Sequence, residues 1–294
     1  MDPLASMTWE YEGIMMPIMI NRESLEYVKN NFEVRDDDVW LCTYPKSGTH
    51  WLMQIIQLLK LDGDYEKLVE KGVKDVKPLE FALPYPGGLK YAYKYYEQLP
   101  SPRLVVTHLP FTLLPKQVFE KKAKVIYVAR NPKDTAVSMY YFTKPTFKTK
   151  NIELEWSTFI YMFMSGKAPY GQWTSHVLPF WNHRNEDNVM FLKFEDIKKN
   201  TIENVRKVAV FTGLSTSDTV LQKTVKNSST KHTRAVMDGE NNGTDATKQT
   251  NVGAFVRKGV IGDWMTHFTV SQSREFDKTL NYYLKETGLE MVFE

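Results

Sequence analysis

The sequence predicts a single α/β domain: a mainly parallel β-sheet flanked by helices, with a P-loop-like anion-binding loop. Three observations carry this expectation. Short apolar, β-branched runs occur at Val39 to Tyr44, Leu104 to Thr107, Val125 to Ala129 and Val189 to Phe194. Three of these are followed by helical segments, at Thr49 to Leu61, Pro132 to Phe142 and roughly Thr201 to Thr212. Each run is apolar on both faces, as in parallel strands covered on both sides. No repeat period or low-complexity linker divides the chain, so residues 1–294 are expected to form one domain.

Composition narrows the function. Hydrophobic residues make up 42% and charged residues 25%, which fits an ordinary globular protein. Lys plus Arg number 38 against 35 Asp plus Glu, and a net charge of +3 does not suggest a nucleic-acid partner. Cys42 is the only cysteine, so neither an intrachain disulfide nor a Cys-based zinc site can form. The early apolar run from Gly13 to Ile20 is broken by Pro17 and preceded by Glu10 and Glu12, unlike a secretory signal. No run of about 20 apolar residues could span a bilayer. The expectation is a soluble, cytoplasmic protein with no membrane partner.

The first strand runs into Tyr44-Pro45-Lys46-Ser47-Gly48-Thr49-His50-Trp51 and then a helix. Strand, basic Gly-containing loop and helix N-terminus together form an anion cradle: amides point outward and Lys46 adds a full charge. Gly48 permits close backbone approach, while Ser47 and Thr49 offer hydroxyl donors. The loop lacks Walker A order, because Gly48 follows Lys46 and no earlier Gly opens it. A capped turn is the competing reading. The second strand ends at Thr107-His108-Leu109-Pro110. His108 can thus face the same crevice as Lys46 and act as general base, unless it is structural.

The third strand ends in Arg130-Asn131-Pro132-Lys133-Asp134, with Pro132 suited to a helix first turn. Arg130 could clamp a phosphate while Ser138, two turns on, donates beside it; a surface Arg is the alternative. An Asp that would help hold Mg²⁺ in a nucleotide kinase is replaced here by Arg130, so no metal is expected. Residues from Asn227 to Thr250 are mostly polar and rich in Gly and Asn, predicting either a lid or a surface insertion. After it come Phe255-Val256-Arg257-Lys258-Gly259 and Gly262-Asp263-Trp264. This pair of cations beside Gly259 could close on an anion or simply face solvent.

These motifs, in order and over the whole chain, resemble the cytosolic sulfotransferases, which transfer a sulfonyl group from 3′-phosphoadenylyl sulfate. Thr107-His108-Leu109-Pro110 and Phe194-Glu195-Asp196 match in place as well. The resemblance implies that Lys46, Ser47, Gly48, Thr49, His50 and Trp51 hold the 5′-phosphosulfate, with Trp51 also stacking on adenine. Arg130, Ser138, Arg257, Lys258 and Gly259 would hold the 3′-phosphate. Further donor contacts are implied at Phe194, Asn227, Ser229, Phe255 and Val256. His108 would be the catalytic base, Lys46 would stabilise the leaving phosphate oxygen, and Ser138 would assist. The product would be adenosine 3′,5′-bisphosphate, released slowly from beneath the 227–250 lid. A donor-binding protein without turnover is the alternative from another class.

The chain departs from the family pattern at four places. Phe194 stands where the family usually has Tyr. Asn227-Ser228-Ser229 aligns with Thr-Ser-Phe, and losing that ring would cost donor binding about 1–3 kcal/mol. Val106 replaces a frequent Lys. The family's dimer motif survives only as Thr269-Val270, between Met265 and Arg274, so a monomer or weak homodimer is expected. Aromatic residues Phe81, Tyr85, Tyr140, Tyr141, Phe142 and Phe147 cluster near the proposed chemistry. Among them the resemblance favours Phe81 and Phe142 as contacts for a small hydrophobic acceptor: a phenol, steroid or other alcohol or amine. Xenobiotic or steroid conjugation follows as the expected role.

Overall fold

A computed structural model describes residues 7–71, 76–241 and 256–294. The chain opens with an antiparallel hairpin, β1 (Thr8–Tyr11) and β2 (Ile14–Pro17), then α1 (Arg22–Asn30). Strand β3 (Val39–Thr43) leads into α2 (Thr49–Lys60) and α3 (Tyr65–Lys71). A second hairpin, β4 (Ala82–Tyr85) and β5 (Gly88–Tyr91), precedes α4 (Ala92–Gln98). Next come β6 (Leu104–Thr107), α5 (Gln117–Glu120), β7 (Lys124–Ala129) and the long α6 (Pro132–Thr149). Helices α7 (Trp156–Met164) and α8 (Trp173–Asn182) lead to β8 (Val189–Lys193) and α9 (Phe194–Lys199). Helices α10 (Thr201–Thr212), α11 (Asp218–Asn227), α12 (Thr230–Asn241) and α13 (Val270–Leu284) complete the order.

The four expected strands form one parallel sheet in the order β6-β3-β7-β8. Alternation along each strand sends Trp40, Cys42, Val105, Val125 and Tyr127 to one face. Val39, Leu41, Leu104, Val106, Ile126 and Val128 go to the other. On this second face lie Leu52, Ile55, Ile56 and Leu59 of α2, with Val205 and Val208 of α10 and Leu221 of α11. The first face is covered by Ala136 and Met139 of α6, Phe159 and Phe163 of α7, Phe180 of α8 and Phe276 of α13. All five β3 side chains are buried, so its apolar run reflects cover on both sides.

The chain leaves β3 toward β6 on one side, and β7 and β8 lie on the other. Such a reversal opens a crevice at the carboxyl ends of the strands, here between β3 and β7. At the opposite end, Arg103 grips Asp38 with two bonds, Nε to Oδ1 at 2.7 Å and Nη2 to Oδ2 at 2.6 Å. Both side chains are buried.

Three expectations change. The helix after β7 runs on to Thr149 instead of ending at Phe142, with Pro145 inside it. Proline forfeits one backbone bond there, but Phe147 is buried in the core and anchors the last turn. Strands β3 and β8 each end one residue early, because Tyr44 turns into the loop and Phe194 opens α9. The described part of the polar segment is helical rather than a loop. Asn227 ends α11, and α12 follows, held by buried Thr233 and by Val236 packing on the α2 side of the core. The remainder of that segment, and Phe255, lie outside the described residues.

Candidate active site

Beyond β3 the loop turns sharply. Lys46 adopts φ +71° and Gly48 φ +108°, and Gly48 is the N-cap of α2. A Cβ at Gly48 would lie 2.8 Å from Cδ2 of Phe194, so this position needs glycine both for its backbone angle and for the close approach. The turn brings Nζ of Lys46 to 4.2 Å from the centre of the Phe142 ring on α6. Burial, then the nearby Arg130 and Arg257 charges, push the Lys46 pKa down to about 7. His50, on the first turn of α2, is pushed to about 3 by burial and by Lys46.

His108 stands just past β6. Its Nδ1 lies 2.9 Å from the carbonyl oxygen of Thr43 and 3.0 Å from Thr43 Oγ1. A carbonyl only accepts, so in the neutral ring Nδ1 carries the proton and Nε2 carries the lone pair. Burial holds the pKa down at about 4, not near neutrality as a free histidine would titrate. The ring is therefore an uncharged base at neutral pH. Thr43 Oγ1 also lies 2.7 Å from Thr49 Oγ1, tying the histidine to the phosphate-type loop.

Three residues that the motifs did not single out fix His108 from behind. Glu80, fully buried, accepts from the His108 backbone N–H at 3.0 Å, from Thr107 Oγ1 at 2.8 Å and from the Tyr170 hydroxyl at 3.0 Å. Burial pushes its carboxyl upward while these donors oppose the shift. The Tyr170 ring meets the His108 ring edge-on at 5.6 Å. His176 Nε2 donates to the His108 carbonyl at 2.9 Å, and its own Nδ1 accepts from Tyr127 at 2.8 Å. A lone acid in the apolar run Pro78-Leu79-Glu80-Phe81 was the signal that could have found Glu80.

Arg130, at the end of β7, spans the crevice. Its Nη1 donates to Lys46 O at 3.3 Å and its Nη2 to Val260 O at 2.9 Å, while its guanidinium lies over Phe194 at 4.6 Å. Phe194 also meets Trp51 edge-on at 5.4 Å. Asn131 caps α6, accepting from Asp134 N at 2.8 Å, with Pro132 in the first turn. Asp134 then takes the backbone N–H groups of Gly262 and Trp264, each at 2.9 Å, pinning the third basic segment to α6. Ser138 lies one turn before Phe142 on the same helix face.

In the third segment the Asp263 carboxylate accepts from Arg257 Nη2 and, at 2.5 Å, from Lys258 Nζ. Burial alone would raise the Asp263 pKa, but the two cations outweigh it and leave the carboxyl below its ordinary value. Arg234 of α12 donates to the carbonyls of Val256 and Arg257 at 3.1 and 2.8 Å. Gly259 takes φ +65° beside Thr230.

Asn227 and Ser229 are engaged elsewhere. The Asn227 side chain donates to Gly63 O at 2.8 Å, and Ser229 Oγ lies 2.7 Å from His232 Nδ1. Between them, Ser228 O accepts from Trp51 Nε1 at 2.8 Å. The aromatic cluster also divides. Tyr140 and Phe147 are core, Tyr85 faces solvent at 64% exposure, and Tyr141 lies under Arg257 rather than beside His108. Phe81 is half-buried, held next to the His108 support by its neighbour Glu80.

Among the described residues, Ser47 Oγ, Arg130 Nε and Arg257 Nε are buried with no hydrogen-bond partner. Three buried donors from three separate segments fit a ligand with several anionic groups. No group of His, Cys, Asp or Glu among the described residues could hold a metal ion. No helix among them is long and apolar enough to cross a membrane.

Known proteins are similar to this chain in sequence and in fold. The family described as Sulfotransferase domain matches residues 36–288. Sulfotransferase 1C2 of Homo sapiens is 34% identical over 267 residues, covering 90% of this chain and 88% of that protein. Sulfotransferase 1B1 of Canis lupus familiaris is 37% identical, covering 93% of this chain and 91% of its own. Among solved structures, mouse sulfotransferase SULT7A1 complexed with PAP superposes with a TM-score of 0.75 at 31% identity, covering 95% and 94% of the two chains.

Proposed function

The chain belongs to the sulfotransferase domain family, and from that premise we propose that it transfers a sulfonyl group from 3′-phosphoadenylyl sulfate to a small hydrophobic acceptor. The observation that carries this reading is the convergence of Lys46, His108, Arg130 and Arg257 at the carboxyl ends of β3, β6 and β7. Bound there, the donor supplies the activated sulfonyl group. Lys46, Ser47, Thr49 and the amides at the start of α2 would hold its 5′ end, with Trp51 and Phe194 beside the base. Arg130, Ser138, Arg257, Lys258 and Gly259 would hold the 3′-phosphate.

His108 takes the acceptor hydroxyl proton at Nε2, the atom left basic by the Thr43 carbonyl. The acceptor oxygen attacks sulfur as the bond from sulfur to the phosphate oxygen breaks. Lys46 neutralises charge growing on that leaving oxygen. A sulfonyl group carries less charge than a phosphoryl group, so a lysine and amides can replace Mg²⁺ in this role. Proton removal contributes about 100- to 10,000-fold and positioning much of the rest.

Phe81 and Phe142 would wall the acceptor, favouring phenols, steroids and other hydrophobic alcohols or amines. Residues 1–294 act as one domain in the cytoplasm, as a monomer or weak homodimer. Thr269 of the degraded dimer motif already serves as the N-cap of α13, in a capping box with Gln272. The acceptor class is tested by labelled sulfonate transfer to a panel of phenols, steroids, amines and hydrophilic sugars. Turnover on the hydrophobic members is expected. Turnover confined to the sugars would contradict the aromatic slot, and donor binding without any transfer would favour a binding protein.

A further inference from the structure

Arginine recognises phosphate through a planar fork of donors, so the plane of the guanidinium must be fixed before the anion arrives. Arg257 is held on one edge by the Asp263 carboxylate. Its flat face lies against Tyr141, with Cζ 4.6 Å from the ring centre. Its Nε remains buried and without a hydrogen-bond partner among the described residues.

Tyr141 is itself held. Its hydroxyl lies 3.0 Å from Nε2 of His267, and the two rings meet at 5.4 Å and 84°. His267 Nδ1 lies 3.0 Å from the Asp263 carbonyl oxygen and 3.0 Å from Thr266 Oγ1. A carbonyl can only accept, so Nδ1 carries the proton of the neutral ring and Nε2 accepts from the Tyr141 hydroxyl. A phenol that donates its proton gains electron density on its ring, which strengthens the face offered to a cation. The contacts close into a ring. The Asp263 carboxylate holds Arg257, Arg257 rests on Tyr141, Tyr141 is oriented by His267, and His267 is oriented by the Asp263 carbonyl.

We propose that Tyr141 and His267 are positioning residues for the donor's 3′-phosphate, fixing the Arg257 guanidinium in the plane that meets it. This rests on the donor site proposed above. It also gives Tyr141 a donor-side role in place of an acceptor-side one. Because Ser138 lies three residues earlier on α6, one helix delivers a phosphate donor and the platform beneath the arginine.

The test compares two nucleotides that differ only in the 3′-phosphate. Adenosine 3′,5′-bisphosphate and adenosine 5′-phosphate are titrated into wild type, Tyr141→Phe, Tyr141→Leu, His267→Ala, Arg257→Ala and the Tyr141→Leu/Arg257→Ala double variant. Tyr141→Leu is expected to weaken the bisphosphate by roughly three- to thirty-fold, the range between an exposed and a desolvated cation–π contact. The same variant should leave the 5′-phosphate within about twofold of wild type. Tyr141→Phe keeps the ring and should lose less, and His267→Ala should match it. The double variant should bind no more weakly than Arg257→Ala alone. Equal losses for both nucleotides, no loss in Tyr141→Leu, or additive losses in the double variant would each overturn the proposal. Wild type that fails to prefer the bisphosphate would instead remove the donor site on which it rests.

Discussion

At His108 the Thr43 carbonyl selects the tautomer, and burial keeps the ring uncharged down to about pH 4. Lys46 works the other way: burial beside Arg130 and Arg257 weakens its hold on a proton, so it titrates at about 7. A lysine with a lowered pKa keeps its charge below that value and loses it as pH rises through it. The affinity for adenosine 3′,5′-bisphosphate should therefore fall above pH 7, approaching a limit of about tenfold per unit. Lys46→Arg keeps the charge, and the difference between the two pH profiles isolates the lysine from the ligand's own phosphates. Identical profiles would show that Lys46 does not titrate there. Both residues were legible in the sequence because each follows an apolar strand. Their protonation states were not, since burial is a property of the fold. Glu80 was missed for the same reason: its three donors come together only when β6, the segment leading into β4 and Tyr170 are packed.

At the scale of elements, the strands of the sheet and the start of α2 and α6 were readable from local signals: two-sided apolar runs, Gly48 and Pro132. Where tertiary burial competes with local preference, the reading stopped short. The helix expected to end at Phe142 continues through Pro145 because Phe147 is buried, and the polar run after Asn227 concealed α12, which Thr233 and Val236 anchor. Asn227 and Ser229 aligned with donor contacts, yet their side chains turn to Gly63 and His232. The junction of β3 and α2 depends on Gly48, whose left-handed backbone and 2.8 Å approach to Phe194 admit no side chain. Gly48→Ala should cost about 1–3 kcal/mol, read from denaturant midpoints, and should also weaken bisphosphate binding. An unchanged midpoint would show that the loop relaxes freely.

Across the whole molecule, the central sheet carries buried charged side chains at both of its ends. At the amino ends of the strands, buried Arg103 and Asp38 satisfy each other. Asp38→Ala would leave an unpaired buried guanidinium and should destabilise by about 3–5 kcal/mol without changing nucleotide discrimination. Thermal unfolding and bisphosphate titration of the same sample check both halves of that statement. At the carboxyl ends, Lys46, Arg130, Arg257 and Lys258 come from loops more than 200 residues apart in sequence, counting from 46 to 258. A net charge of +3 concealed this convergence, because the remaining charges nearly cancel. The role proposed for this basic crevice is a base-assisted sulfonyl transfer with His108 as the proton acceptor. It is tested most directly by single-turnover transfer of labelled sulfonate from saturating 3′-phosphoadenylyl sulfate to a phenol, in wild type and His108→Ala. The variant should lose about 100- to 10,000-fold in transfer rate with bisphosphate affinity unchanged. Equal transfer rates in the two proteins would contradict it.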